Sequence, residues 1–304
     1  MNQFIKRTLF FSIPVIVCIA IMELLLRNIP NDYSYKKNYL DQHSYQIETL
    51  FLGSSHSLYA VNPEYLNSNS FNAAHVAQSL DYDVEILKKY ANQMDKLKYI
   101  IVPIDYFSLY NRLETGVEYW RIKNYTIYYG FDKSSGFVEN LELLNGKCSE
   151  NCFRVYKYLW KKKSEISCNQ RGWGTNYNSK NKQDLFVTAK AAAKRHAKKS
   201  ISFFDENVKI VDEIISIAKS KNVKVIFYTC PAYKTYVSQL NQEQLQKTIL
   251  TIKGIQNLNT NVFYYNFLND AKFTAKDFYD ADHLNEIGAE KFSKKMDSII
   301  INLK

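Results

Sequence analysis

Two short runs in this chain combine residue types that carry nucleophilic and acid–base chemistry. The first is Leu52-Gly53-Ser54-Ser55-His56-Ser57. A serine in a glycine-containing turn between a strand and a helix exposes its hydroxyl at the strand's carboxyl end. Its own amide can then help to stabilise an oxyanion. Read by itself, the run is also an ordinary serine-rich turn. The second is Asp280-Ala281-Asp282-His283-Leu284-Asn285. An Asp and a His three residues apart on a turn can set a carboxylate against an imidazole. The carboxylate fixes the tautomer and stabilises the imidazolium formed when the ring takes a proton from serine. Read by itself, this run is also a helix start, capped by Asp282 or Asn285. Together the two runs suggest Ser55 as nucleophile, His283 as base and Asp280 as the group that orients it.

The elements around these runs decide whether they can meet. Glu48-Thr-Leu-Phe-Leu-Gly53 reads as a buried strand stopped by Gly and Ser. Tyr99–Pro103, Val223–Thr229 and Asn261–Phe267 read as three further strands. Helical spacing marks 80–92, 203–220, 240–255 and 285–303. Alternating strands and helices imply a parallel sheet covered on both faces. Active sites in such sheets lie beyond the carboxyl ends of the strands. One run follows the first strand and the other precedes the last helix, so the fold can bring both to one edge. Residues 106–200 do not fit the alternation and are expected to form an insertion or lid there.

Thr8–Leu26 is nineteen nearly unbroken apolar residues after Lys6 and Arg7, long enough to cross a bilayer core. Glu23 lies near its end, and Pro14 is tolerated in a membrane helix. A cleaved signal peptide is the rival reading, but no small-x-small cleavage site follows. The expected organisation is a cytoplasmic N-terminus and anchor over 1–27, a polar linker over 28–46, and one α/β domain over 47–304. Basic residues flank both ends of the apolar run, so charge bias alone does not orient it.

The 304 residues are 46% apolar and 23% charged, which excludes a disordered chain and a multi-span membrane protein. The net charge of +10 is uneven: residues 153–200 carry 13 of the 40 Lys and Arg against only Glu165 and Asp184. A solvated face or attraction to an anionic glycan or headgroup both fit that cluster. No nucleic-acid motif or glycine-rich phosphate loop accompanies the charge, so neither a nucleic acid nor a nucleotide is expected. Tyr (24) and Phe (18) are abundant, which fits a sugar- or acyl-gripping surface as well as codon bias. Cys148, Cys152 and Cys168 cluster in a polar region, and two of them could pair outside the cytoplasm. No Cys-x-x-Cys or neighbouring His supports zinc, and neither metal nor cofactor is expected. Cys230 reads as a buried small hydrophobe. His56 and His75 are pocket candidates, His43 and His196 read as surface residues, and Pro231 and Tyr233 fall at the active edge.

The paired motifs resemble those of the SGNH/GDSL hydrolase family over residues 47–105 and 201–304. Gly53-Ser54-Ser55-His56-Ser57 stands where that family has Gly-Asp-Ser-x-Ser, and Asp280-Ala281-Asp282-His283 matches its Asp-x-x-His. The resemblance implies a flavodoxin-like three-layer αβα fold and a Ser55–His283–Asp280 triad. It departs in three places. Ser54 replaces an Asp, and Pro103-Ile104-Asp105-Tyr106 lacks the family's Gly-x-Asn-Asp. The oxyanion glycine has no clean match. The turn Asn72 to Ser79 is nearest, with the Ala77 amide or the Gln78 side chain as donor and Asn72 beside them. A lost oxyanion donor typically costs ~100- to 1000-fold in rate.

With its N-terminal anchor the chain is similar to the membrane-anchored branch that includes the D-alanine transfer protein of teichoic acid synthesis and the alginate acetylation proteins. That similarity implies an inner-membrane location, an extracytoplasmic domain and acyl chemistry on an envelope glycan. It also implies an acyl-carrier substrate and a multi-span acyltransferase partner. The alternative is a non-catalytic glycan-binding or assembly protein on the same scaffold.

Overall fold

The computed structural model describes residues 2–131, 136–197 and 203–303. In chain order the elements are α1 (Asn2–Arg27), α2 (Asp32–His43), β1 (Thr49–Phe51), α3 (Ser55–Ala60), β2 (Ser70–Asn72), α4 (Leu80–Tyr90) and β3 (Tyr99–Pro103). Then follow α5 (Ile122–Asn124), α6 (Cys148–Lys161), α7 (Val187–His196), α8 (Phe204–Ser220), β4 (Lys224–Thr229), α9 (Lys234–Val237), α10 (Gln242–Leu258), β5 (Val262–Asn266) and α11 (Glu286–Asn302). They form two compact units, Met1–Asn38 with Val117–Ile166, and Tyr39–Gly116 with Ser167–Lys304.

The larger unit is built on a five-stranded sheet in the order β2-β1-β3-β4-β5, parallel throughout. β1 and β3 are buried along their whole length and β4 nearly so, because both faces of a parallel sheet are covered. α4 packs on α8, and α3 on α11. Right-handed crossovers put α4, α8 and α10 on one face and α3 and α11 on the other. On the second face Phe51, Ile101, Ile226 and Tyr228 meet Phe292, Met296 and Ile300 of α11. This is a mixed α/β, flavodoxin-like three-layer arrangement. The fifth strand, β2, escaped the sequence reading: it has three residues, of which Phe71 alone is apolar.

The strand order reverses between β1 and β3, so the connections leaving them diverge. A crevice opens at the carboxyl ends of that pair. Ser55 follows β1 and Asp105 follows β3. Gly53 makes the turn into α3 with φ +108, a backbone conformation that favours glycine. An added Cβ there would lie 2.3 Å from Pro103 Cγ. Ser54 then caps α3, its Oγ accepting from the His56 amide at 3.3 Å.

Two expected boundaries change. Residues 28–46 are not a polar linker, because α2 occupies Asp32–His43. Asn31 Oδ1 caps it by accepting from the amides of Tyr33 and Ser34 at 3.0 and 3.1 Å. Tyr33, Lys36 and Leu40 are buried, although the run lacks an obvious apolar period. Nor do residues 106–200 act as one insertion. Val117–Ile166 groups with the N-terminal segment and the flanking parts group with the sheet. Residues 132–135 and 198–200 of that stretch lie outside the described residues.

In the smaller unit, α1 is the one described helix long and apolar enough to cross a membrane. Its C-terminal end is built into the fold. Leu26 and Ile29 pack with Val155 of α6, and Met22, Leu25, Leu143, Tyr158 and Leu159 surround them. Glu23 accepts from the amides of Glu142 and Leu143 at 3.0 and 2.8 Å and pairs with Arg27 at 2.6 Å.

Gly53→Ala combines left-handed strain with a clash against Pro103. Each effect costs on the order of 1–3 kcal/mol. The variant is expected to unfold at visibly lower temperature or denaturant than wild type, and an unchanged midpoint in a circular-dichroism melt would contradict the turn geometry.

Candidate functional site

The fold brings Ser55, His283 and Asp280 together. Ser55 is the first residue of α3, and its Oγ lies 2.8 Å from His283 Nε2. His283 Nδ1 lies 2.9 and 3.1 Å from the two carboxylate oxygens of Asp280. The acceptor-only carboxylate assigns the ring proton to Nδ1, which leaves the Nε2 lone pair facing the serine hydroxyl. The turn is locked locally, because Asp280 Oδ1 also accepts from the amides of Asp282 and His283 at 3.1 and 2.8 Å. Asn285, not Asp282, caps the following helix α11, accepting from the amides of Ile287 and Gly288.

Asp282 therefore serves another purpose. It belongs to a buried ionic chain behind the imidazole. Asp105 Oδ2 lies 2.8 Å from His56 Nδ1, and Asp105 Oδ1 accepts from the Cys230 amide at 2.8 Å. His56 Nε2 lies 3.4 Å from Asp282 Oδ2, and Asp282 Oδ1 lies 3.6 Å from His283 Nδ1. Burial disfavours a charged His56, yet the two flanking carboxylates, Asp105 foremost, push its pKa up to about 10. It is an imidazolium at neutral pH. Burial likewise disfavours the Asp282 carboxylate, but His283, His56 and His196 hold it well below the usual range. Arg195 also approaches Asp282, at 3.6 Å.

His196 is not the surface residue expected. The alanine face of α7 (Ala189, Ala192, Ala193) packs against Tyr106, Phe107 and Tyr236 and carries His196 inward. Its ring lies against Phe107 at 4.2 Å, and Nδ1 is 2.8 Å from Tyr236 Oη. Burial keeps its pKa well below the ordinary value. His43 is half-buried against Tyr39.

An aromatic wall, absent from the sequence reading, closes the other side of His283. Tyr177 stacks between Tyr59 and Tyr279 at 3.7 and 3.9 Å. It meets the edge of His283 at 5.2 Å. Twenty-four tyrosines gave no signal that these three would converge.

The expected oxyanion groups separate into two sets. Asn72 is not available. Its side-chain amide donates to the Ser57 and Val61 carbonyls at 2.9 and 2.8 Å, so both donors are engaged in holding α3. Gln78 donates to Asp83 Oδ1 at 2.6 Å, an oxygen that also takes the Gly53 amide at 2.7 Å. Ala77, by contrast, stands in the left-handed region at φ 59. Neither its amide nor that of Ser55 meets an acceptor among the described residues. His75 is buried and donates its amide to the Gly53 carbonyl. Tyr233 packs on Phe278, and Pro231 is buried beside Cys230.

Cys148 and Cys152 are free thiols one turn apart on α6, and Cys230 is a buried one. Two sets of side chains have ligand atoms close enough to share an ion, His56 with Asp105 and Cys230, and His56 with Asp282 and His283. Both draw on His56, whose nitrogens already face carboxylates.

This is a flavodoxin-like α/β protein with a serine–imidazole–carboxylate series at the reversal of its strand order. The chain belongs to the DUF1574 family, proteins of unknown function, whose profile matches residues 135–303. The match contains Asp280 and His283 but not Ser55. No curated protein matches the sequence. Among solved structures the chain is similar to a Streptococcus pneumoniae protein described as a candidate platelet activating factor. The identity is 10% and the TM-score 0.46, over 96% of this chain and 98% of that one. It is also similar to a candidate acylhydrolase from Bacteroides fragilis (11%, 0.41, 88% and 96%). A GDSL-like lipase from Bacteroides thetaiotaomicron is a third (9%, 0.42, 90% and 100%).

The raised pKa of His56 links it to stability. The contribution is fully present below about pH 6.5 and is lost as pH rises through about 10, with a ceiling of about 5 kcal/mol. Wild type is expected to lose melting temperature across that window, whereas His56→Gln starts lower and changes less. Parallel curves for the two proteins would contradict the ionic chain.

Proposed function

We propose that this chain is a membrane-anchored serine enzyme of SGNH type that moves acyl groups on cell-envelope polysaccharide, as an O-acyltransferase or esterase. The observation that carries the reading is the unbroken Ser55–His283–Asp280 series at 2.8 and 2.9 Å. His283 Nε2 takes the hydroxyl proton as Ser55 Oγ attacks the acyl carbonyl. The Ser55 and Ala77 amides are the donors for the oxyanion. The alkoxide leaves with the proton from His283, giving an acyl-serine ester. A sugar hydroxyl or water then repeats the sequence in reverse, its proton passing to His283. The apolar helix α1 serves as the anchor, with the sheet unit on the extracytoplasmic side and a multi-span acyltransferase as the supplier of acyl groups. The engagement of Asn72 and Gln78 away from the site favours a second, binding-only reading, since it leaves backbone amides alone as oxyanion donors.

A fluorophosphonate reagent distinguishes the two. Folded wild-type protein is expected to label, and Ser55→Ala to lose labelling entirely. Wild type that stays unlabelled would favour glycan binding without catalysis. Asp280→Asn presents the wrong imidazole tautomer and is expected to label on the order of a thousandfold more slowly or worse. A labelling rate near wild type would remove Asp280 from the series.

A further inference from the structure

α6 is two-faced in a way that burial within the protein does not explain. Val155, Tyr158 and Leu159 face the end of α1, against Met22, Leu25, Leu26 and Ile29. On the opposite face Phe153, Tyr156 and Trp160 recur at helical spacing and remain 53, 44 and 70% exposed. Their rings form a ladder with centroids 6.5 and 5.7 Å apart. Lys157 lies over Phe153 at 4.2 Å and Lys161 over Tyr156 at 5.7 Å. Lys162 and Lys163 follow, and residues 152–163 contain no acidic residue. Arg154 is neutralised by Glu142 and Glu165, but none of these four lysines is paired with a carboxylate among the described residues. A ladder of this kind in water would be a liability.

We infer that the Phe153–Tyr156–Trp160 face of α6 lies in the headgroup layer of an anionic bilayer, as a second membrane contact beside α1. Aromatic side chains with a polar edge concentrate at that depth. An aromatic face fringed with lysine is the pattern of a helix lying in the interface. Negative lipid attracts such lysines from within a Debye length. The place in the fold agrees, because α6 packs where the apolar run of α1 gives way to Arg27. The inference rests on the anchoring role proposed for α1 and is independent of the chemistry at Ser55.

The test uses the full chain in nanodiscs of phosphatidylcholine, with or without phosphatidylglycerol, and lipid brominated high on its acyl chains. The emission of Trp160 is read as the difference between wild type and Trp160→Phe. The expected result is a blue-shifted Trp160 signal that loses most of its intensity to the brominated lipid. Quenching should be stronger with phosphatidylglycerol and weaker in high salt. Replacing Lys157, Lys161, Lys162 and Lys163 with Gln should abolish the dependence on phosphatidylglycerol. Carbonate extraction of the same samples reports on α1 alone. Resistant protein with a water-like, unquenched Trp160 overturns the inference while leaving the anchor intact. Protein extracted by carbonate overturns the anchor and the inference with it.

Discussion

The site depends on one buried cation. His56 stands between Asp105 and Asp282, and through them it joins the loops leaving β1, β3 and β4 to the turn that carries His283. A buried carboxylate is tolerated only when paired. Without the imidazolium, Asp105 would lose its cation and Asp282 would be left with Arg195 at 3.6 Å as its cationic neighbour. The turn before α11 would then lose its reason to lie against the turn before α3. His56 is the neighbour in sequence of Ser55, so the residue beside that serine also secures the imidazole that faces it. The positive ring further offsets Asp282, which leaves Asp280 as the carboxylate that governs the tautomer of His283.

Much of this was legible in the sequence, for identifiable reasons. Ser55, Asp280 and His283 could be picked out because each lies in a short motif next to an apolar run with an unambiguous period. β1, β3, β4 and β5 could be found for the same reason. Asp105, Asp282 and His196 could not, because their partners come from separate loops and nothing local marks a residue as one end of an ion chain. Asp282 even carried a sufficient local explanation, as a helix cap, that Asn285 in fact supplies. Asn72 misled in the opposite sense, since a polar residue after a strand looks available until its two donors are traced to the backbone.

Domain organisation is less legible. Residues 28–46 and 106–200 lack a clean period, so their polarity reads as irregularity. The buried faces of these stretches are aromatic and mixed. They answer to particular partners, such as Leu26 and Ile29 for Val155, rather than to a general hydrophobic stripe. Tertiary context outweighs local propensity in such segments. Tyr177 comes from the same irregular stretch, and the wall it builds with Tyr59 and Tyr279 makes a nominal insertion part of the site.

The carboxylate of Glu23 has a consequence for the order in which the protein is made. It waits in the last turns of α1 for the amides of Glu142 and Leu143, while Leu26 and Ile29 wait for Val155. A chain is synthesised from its N-terminus, and its domains form as they emerge. α1 therefore emerges long before its partners exist, and β1, β2 and β3 leave the ribosome in between. The first helix and the middle of the chain must find each other late, across strands already translated. A peptidase that cut α1 away before that meeting would leave the Glu142 and Leu143 amides without their acceptor and the apolar cluster without Met22, Leu25 and Leu26. The N-terminal helix is in this sense a folding partner of the middle of the chain, and not only an apolar segment long enough to cross a membrane.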